Sequence, residues 1–154
     1  MKAYRKAAWI LVLSLALGAG LIANVILKDH WGRPRPTQIE EFGGTMSFRP
    51  FYMPNFSIST LKESKKSFPS GHATMGFYFL SLYFVGKRYD NKLIYFLGIL
   101  LTVSLGTALG ITRLAQGGHF FSDIIATAAI MWYTALILDT IIHKNKWKAH
   151  ERTN

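Results

Sequence analysis

Apolar residues fall in four uninterrupted blocks. Residues 7–27 hold no charge, residues 71–86 none beyond His72, residues 93–112 none, and residues 120–142 only Asp123 and Asp139. A helix crosses the hydrocarbon core of a bilayer with about 20 apolar residues, range about 17–25. These blocks are apolar around the whole helical circumference, whereas a soluble bundle keeps polar faces with a 3.6-residue period. The pattern predicts an all-α integral membrane bundle of about four transmembrane helices, the second the shortest, in a single domain over residues 1–154. The first block follows Met1-Lys2-Ala3-Tyr4-Arg5-Lys6, as in a secretory signal. It exceeds the usual apolar region of about 7–15 residues, so a retained span is expected.

The connection over residues 37–69 is aromatic rather than disordered in character. It holds Phe42, Met46, Phe48, Phe51, Tyr52, Met53 and Phe56, with Pro50 and Pro54 to break any long helix. It reads as an ordered extramembrane segment at the interface, where aromatic rings settle. A lid or binding wall beside a site and a plain cover for the bundle are equally good readings. Gly106 and Gly110 form a GxxxG pair in the third block, expected to serve packing within the chain rather than dimerisation.

Charge changes this picture in one respect. Lys and Arg total 18 against 8 Asp and Glu, a formal net charge of +10. The excess lies in membrane-flanking loops, so anionic head groups and positive-inside orientation account for it and nucleic acid does not. One end carries Lys2, Arg5, Lys6, Lys87, Arg88, Lys92, Lys144, Lys146, Lys148 and Arg152, and is assigned to the cytoplasm. Cysteine is absent, which removes disulfides, thiolate metal sites and thiol nucleophiles.

Chemistry-bearing residues cluster at the other end. Lys28 and Arg35-Pro36 follow the first block, Pro69-Ser70-Gly71-His72 opens the second, and Arg113, His119 and Asp123 bridge the third and fourth. Each span reverses the chain, so all three segments emerge on one face; unrelated matches would do so only about half the time. Taken alone, Lys28 or Arg35 reads as a cation snorkelling to water. Pro34 and Pro36 fix the backbone around Arg35, and a guanidinium fork suits a phosphate. Arg33 competes for that role. Ser70 is a good helix N-cap and Gly71 permits close approach, so an anion before this helix would meet its first amides and His72. The plain alternative is a cap with an interfacial histidine. Lys62, Lys65 and Lys66 upstream are expected to solvate the loop.

A helix over residues 119–123 would put His119 and Asp123 on one face. The carboxylate would then accept from one imidazole nitrogen and leave the other free to attack. The bland reading is an interfacial cap, and half a metal site is a third; no second His or carboxylate cluster stands nearby in sequence, so no metal is expected. Gly117 and Gly118 would let a phosphate near the backbone. Asp139, four residues before His143, reads as interfacial.

The ordered trio, Lys28…Arg35-Pro36, Pro69-Ser70-Gly71-His72 and Thr112-Arg113…His119…Asp123, resembles the type 2 phosphatidic acid phosphatase (PAP2) superfamily, whose pattern is KX6RP, PSGH and SRX5HX3D. The match covers residues 28–123. Thr112 stands where the family usually has Ser, and four blocks stand where membrane members commonly have six spans. Gln116-Gly117-Gly118-His119-Phe120-Phe121-Ser122-Asp123 further resembles bacterial lipid A phosphatases, particularly the 1-phosphatase branch. The resemblance implies a metal- and cofactor-independent hydrolase of a membrane lipid phosphate. His119 is implied as nucleophile, Asp123 as its orienting carboxylate and His72 as proton donor. Lys28, Arg35, Ser70, the Gly71 amide and Arg113 are implied to hold the phosphate. Lipid A 1-phosphate is the first expectation for the substrate, with phosphatidylglycerol phosphate and undecaprenyl diphosphate as alternatives. The implied location is the bacterial inner membrane, with the site facing the periplasm. A non-catalytic lipid-binding scaffold would explain the spans but leave the trio to chance. A vanadate-dependent haloperoxidase shares the anion pocket but is typically larger and soluble.

Overall fold

The computed structural model describes residues 2–56 and 66–150, with side chains over residues 5–56 and 66–144. Lys62 and Lys65 lie outside the described residues, as do Arg152 and the side chains of Lys2, Lys146 and Lys148. The described chain is helical. α1 (Lys2–Leu13) widens into a π-helical stretch (Ser14–Leu27) and closes with α2 (Lys28–His30), forming one continuous first helix. Two 3₁₀ turns, Pro36–Gln38 and Glu40–Phe42, begin the connection. α3 (Gly71–Phe77), α4 (Leu80–Arg88), α5 (Lys92–Ala115) and α6 (Phe121–His150) complete the bundle.

Among the described residues, three helices are long and apolar enough to cross a membrane: Arg5–His30, Lys92–Ala115 and Phe121–Lys144. The second expected span is instead broken. α3 ends at Phe77 and α4 starts at Leu80, and the Ser81 hydroxyl donates to the Tyr78 carbonyl at 2.7 Å across the break. A hydroxyl competing for a backbone carbonyl bends a helix where packing permits. The broken segment still runs the length of the bundle, because Gly71 lies beside Lys28 at one end and Arg88 pairs with Asp139 at the other.

The interior is small and polar while the exterior is large and apolar. Ser14, Ser81, Thr102, Thr127 and Thr134 are buried, whereas Trp9, Leu97, Leu100, Val103, Ile137 and Ile141 point outward. Water would drive the reverse arrangement; a bilayer offers no hydrophobic drive between helices and rewards close packing of small residues. Of the inward hydroxyls, Thr127 closes on the Asp123 carbonyl at 2.6 Å and Thr134 on the Ile130 carbonyl at 2.8 Å, whereas Ser14 and Thr102 have no partner among the described residues. The GxxxG pair serves packing within the chain. A Cβ on Gly76 of α3 would stand 2.5 Å from the Gly106 backbone, and one on Gly110 would stand 2.9 Å from Ile124 of α6.

Asp139 lies at the end opposite the motifs and is buried there rather than open to water: it accepts from the Arg88 guanidinium and has the His143 ring at 3.1 Å. The Tyr89 hydroxyl lies 3.2 Å from the other ring nitrogen, Nε2. A carboxylate this close to hydrocarbon needs a counter-charge, and Arg88 at the end of α4 supplies it.

Candidate active site

The three signature segments converge at the opposite end, each by an identifiable local device. α5 stops at a Schellman turn: the Gly118 amide donates to the Arg113 carbonyl at 3.0 Å and the Gly117 amide to the Leu114 carbonyl at 2.9 Å. Gly117 takes φ +59°, the left-handed conformation that such a stop requires. The turn folds Gly118 onto the Arg113 guanidinium, where a Cβ would stand 2.9 Å from Nη2. Ser70 N-caps α3, its hydroxyl accepting from the Ala73 amide at 3.4 Å and its own amide donating to Thr127 Oγ1 at 3.0 Å. Gly71 follows, and a Cβ there would meet Asn24 Oδ1 at 2.6 Å and Lys28 Nζ at 3.0 Å. Two missing side chains therefore let two cations lie against backbone.

Lys28, Arg35 and Arg113 lie within electrostatic reach of one another, and His72 feels Arg113, Lys28, His119 and Arg35. The Nε atoms of Arg35 and Arg113 are buried with no protein partner. Buried donors of this kind ordinarily find acceptors, and an oxyanion between the guanidiniums would supply them. His72 sits exposed on the rim at the start of α3. Loss of water there, then the positive charge of Arg113 and Lys28, holds its pKa below the ordinary histidine value.

His119 and Asp123 are both buried, at 2% and 0% exposure. The helix expected over residues 119–123 begins only at Phe121. Asp123 occupies the third helical position and its Oδ2 accepts from the Phe120 amide at 2.8 Å, half of a capping box. Its Oδ2 lies 3.7 Å from His119 Nδ1, an ion-pair distance rather than a hydrogen bond. Nδ1 instead meets the Ser67 carbonyl. That contact fixes the proton on Nδ1 and leaves Nε2 with the free lone pair. The hydrogen bond on Nδ1 is thus to a backbone carbonyl, while Asp123, implied as the orienting carboxylate, stands at ion-pair distance.

Two residues at the site carry no role in the sequence reading. Ser67 donates its hydroxyl to Asp123 Oδ2 at 2.6 Å, besides lending its carbonyl to His119. Arg33, read only as a rival to Arg35, is 2% exposed and pairs with Asp123 Oδ1. Gly32 at φ +64° and Pro34 flank it and set its direction. The one sequence clue to Arg33 was electrostatic, since a carboxylate at position 123 within an apolar block demands a cation. Nothing in the sequence singled out Ser67.

The aromatic connection forms the wall behind this pair. Phe48 packs edge-on against Phe120 at 5.4 Å, and Phe51 stacks on Phe68 at 6.3 Å. Trp31 stacks on Phe68 at 4.6 Å. Lys66 pairs with Asp29 at 2.6 Å on the exposed surface, as a solvating charge does. Below the wall, an apolar groove of about 800 Å³ runs between the first helix and α6. It extends from Trp31, Phe68 and Ser122 down to Ile137.

The sequence profile of the PAP2 superfamily matches residues 7–147. This chain belongs to the PAP2 superfamily. It is 35% identical over 143 residues to the lipid A 4'-phosphatase of Francisella tularensis subsp. novicida, which covers 93% of this chain and 61% of the relative. Against the lipid A 4'-phosphatase of Rhizobium etli it is 35% identical over 126 residues, 81% of this chain and 44% of the relative. Against the lipid A 1-phosphatase of Rhizobium johnstonii it is 33% identical over 120 residues, 77% of this chain and 41% of the relative. The chain thus spans about half the length of the curated relatives it matches. No solved structure matches it. PAP2 membership agrees with the trio quoted from the sequence, and the geometry brings that trio to one end of the bundle.

Proposed function

We propose that this PAP2 chain is a membrane phosphatase that removes a phosphate monoester from a lipid of the lipid A type through a phosphohistidine at His119. The observation that carries the reading is the pairing of the Ser67 carbonyl with His119 Nδ1 beside buried, unpartnered guanidinium nitrogens of Arg35 and Arg113. Nε2 attacks phosphorus, the Nε2–P bond forms, and the bond from phosphorus to the lipid oxygen breaks. His72 gives its proton to that oxygen, then takes one from the water that splits the Nε2–P bond. Lys28, Arg35 and Arg113, with Ser70 and the Gly71 amide, hold the three equatorial oxygens, and stabilising their charge is the main task in phosphoryl transfer. Asp123 stabilises the imidazolium formed on attack.

Acyl chains fit the apolar groove, whose head end is made by Phe68 and Ser122, the sequence neighbours of Ser67 and Asp123. Between the two phosphates of lipid A, the 4' position is favoured here over the 1 position expected from the flanks of the third motif. The matches that cover most of the chain are to 4'-phosphatases. The basic end formed by Lys6, Arg88 and Lys144 supports a cytoplasmic assignment for that end, and with it a site on the periplasmic face of the inner membrane.

The test is phosphate release from purified protein in detergent, with mass spectrometry of the lipid product to identify the phosphate lost. Alkaline quenching with ³²P-labelled lipid should capture label on His119 and none in His119→Ala. Turnover without labelled imidazole would exclude the covalent route, and a product retaining its 4'-phosphate would exclude the position.

A further inference from the structure

Arg33 is an arginine that no phosphate can use. Its Nε donates to the Arg49 carbonyl at 2.9 Å and its Nη1 to Ser122 Oγ at 2.9 Å and to Asp123 Oδ1. Phe120 covers one face of the guanidinium at 4.2 Å, with Phe48 at 5.8 Å. Held from several directions and 2% exposed, it has neither the freedom nor the access to follow a substrate. All of this fixation serves one carboxylate. Asp123 presents Oδ1 to Arg33 and Oδ2 to Ser67 and the Phe120 amide, and stands 3.7 Å from the ring that carries the chemistry.

We infer that Arg33 is a positioning residue for the phosphoryl-transfer step, holding Asp123 at a set distance from His119 and balancing its charge so that the imidazole stays a neutral nucleophile until it bonds phosphorus. This rests on the reading of His119 as the nucleophile. An unbalanced carboxylate beside His119 would favour the imidazolium, which has no lone pair to offer. A carboxylate swung onto Arg33 alone would give the phosphohistidine no support. A guanidinium anchored on Oδ1, with Ser67 anchored on Oδ2, avoids both outcomes. Lys28, Arg35, Arg113 and His119 all lie within electrostatic reach of His72, whereas Arg33 is the cation paired with Asp123.

The test uses the full chain in detergent with a short-chain lipid phosphate, comparing wild type, Arg33→Met, Arg33→Lys, Asp123→Asn and the Arg33→Met/Asp123→Asn double variant. Arg33→Met should lower kcat about 100-fold with KM within about threefold, the pattern of a lost transition-state interaction. Arg33→Lys should recover at least about tenfold of the loss, since it restores the charge without the fork. The double variant should be no slower than Asp123→Asn, because both substitutions act through one carboxylate. That comparison remains decisive if Arg33→Met alone fails to fold. A raised KM with unchanged kcat, no recovery in Arg33→Lys, or a double variant as slow as the product of the singles would overturn the inference. An inactive wild type would instead overturn the phosphatase reading itself.

Discussion

Gly71→Ala separates the chemistry of this site from its stability. The added methyl would stand 2.6 Å from Asn24 Oδ1 and 3.0 Å from Lys28 Nζ. Ordinary van der Waals contact begins at 3.4 Å, so both groups must retreat by several tenths of an ångström. Asn24 resists, because its amide donates to the Ala19 carbonyl at 2.7 Å. Lys28 yields, being the far end of a flexible chain, and its ammonium leaves the Gly71 backbone. The retreat is about 0.4 Å for Lys28 and about 0.8 Å for Asn24, and a misplacement of 1 Å in a positioning group costs up to about 100-fold in rate. A loss of about 10- to 100-fold in kcat/KM, equivalent to about 1.4–2.7 kcal/mol of transition-state binding, is therefore expected. Stability should hardly move, since Gly71 lies at the start of α3 without a positive φ, and Ala is the better helix former by about 0.5–1 kcal/mol. Phosphate release measured across lipid concentration gives the first quantity. Thermal unfolding followed by tryptophan fluorescence gives the second. A variant with kcat/KM within twofold of wild type would refute the placement of Lys28 against Gly71. A variant that is slow only because it is unfolded would refute the claimed separation.

Other perturbations test other parts of the structure. Gly76→Ala puts a methyl 2.5 Å from the backbone of Gly106, which cannot retreat, so a loss of about 1–3 kcal/mol in unfolding free energy is expected from denaturant titration in detergent. Asp139→Asn should lower stability by about 2 kcal/mol by leaving Arg88 without its partner, a figure reduced from that of a fully buried pair because Arg88 is partly exposed. Its kcat should stay near wild type, since the pair lies at the far end of the bundle. Positive charge and loss of water hold the His72 pKa low, and an acid must be protonated to act. kcat/KM should therefore fall as pH rises through a value below that of an ordinary histidine, and Lys28→Met should shift this basic limb upward. Activity should persist in EDTA, because fixed cations occupy the place a metal would take; loss restored by a divalent ion would contradict this.

What the sequence made legible follows from how each feature is encoded. Long apolar blocks encode crossings by length alone, so the first helix, α5 and α6 stand where the blocks lie. The break at Tyr78 and Phe79 is encoded by one serine hydroxyl choosing a carbonyl, a choice that depends on packing against α5. The motif residues were legible because their spacing is tied to local turns: a Schellman stop before His119, an N-cap at Ser70, prolines around Arg35. Arg33 and Ser67 were not, because their roles depend on a carboxylate 90 and 56 residues away. The partner of Asp139 was hidden for the same reason, Arg88 being 51 residues distant.

The chain carries two His–Asp pairs at a spacing of four, and the contrast between them says what the spacing alone does not. At the far end, His143 has Nδ1 3.1 Å from Asp139 and Nε2 3.2 Å from the Tyr89 hydroxyl. Both ring nitrogens are engaged and the carboxylate is shared with Arg88. Such a histidine has a structural role, because it has no free lone pair to offer. At the near end, the Ser67 carbonyl takes Nδ1, no described residue takes Nε2, and Lys28, Arg35, Arg113 and His119 all lie within electrostatic reach of His72. The same two side chains at the same interval are thus a clamp in one setting and, in the mechanism proposed above, a nucleophile in the other. The difference lies in what meets the second nitrogen. His143→Ala should accordingly lower the unfolding midpoint while leaving phosphate release per folded molecule intact, and His119→Ala should do the reverse. Equal loss of turnover in both variants would show that the engaged ring nitrogens at the far end are not what distinguishes the two pairs.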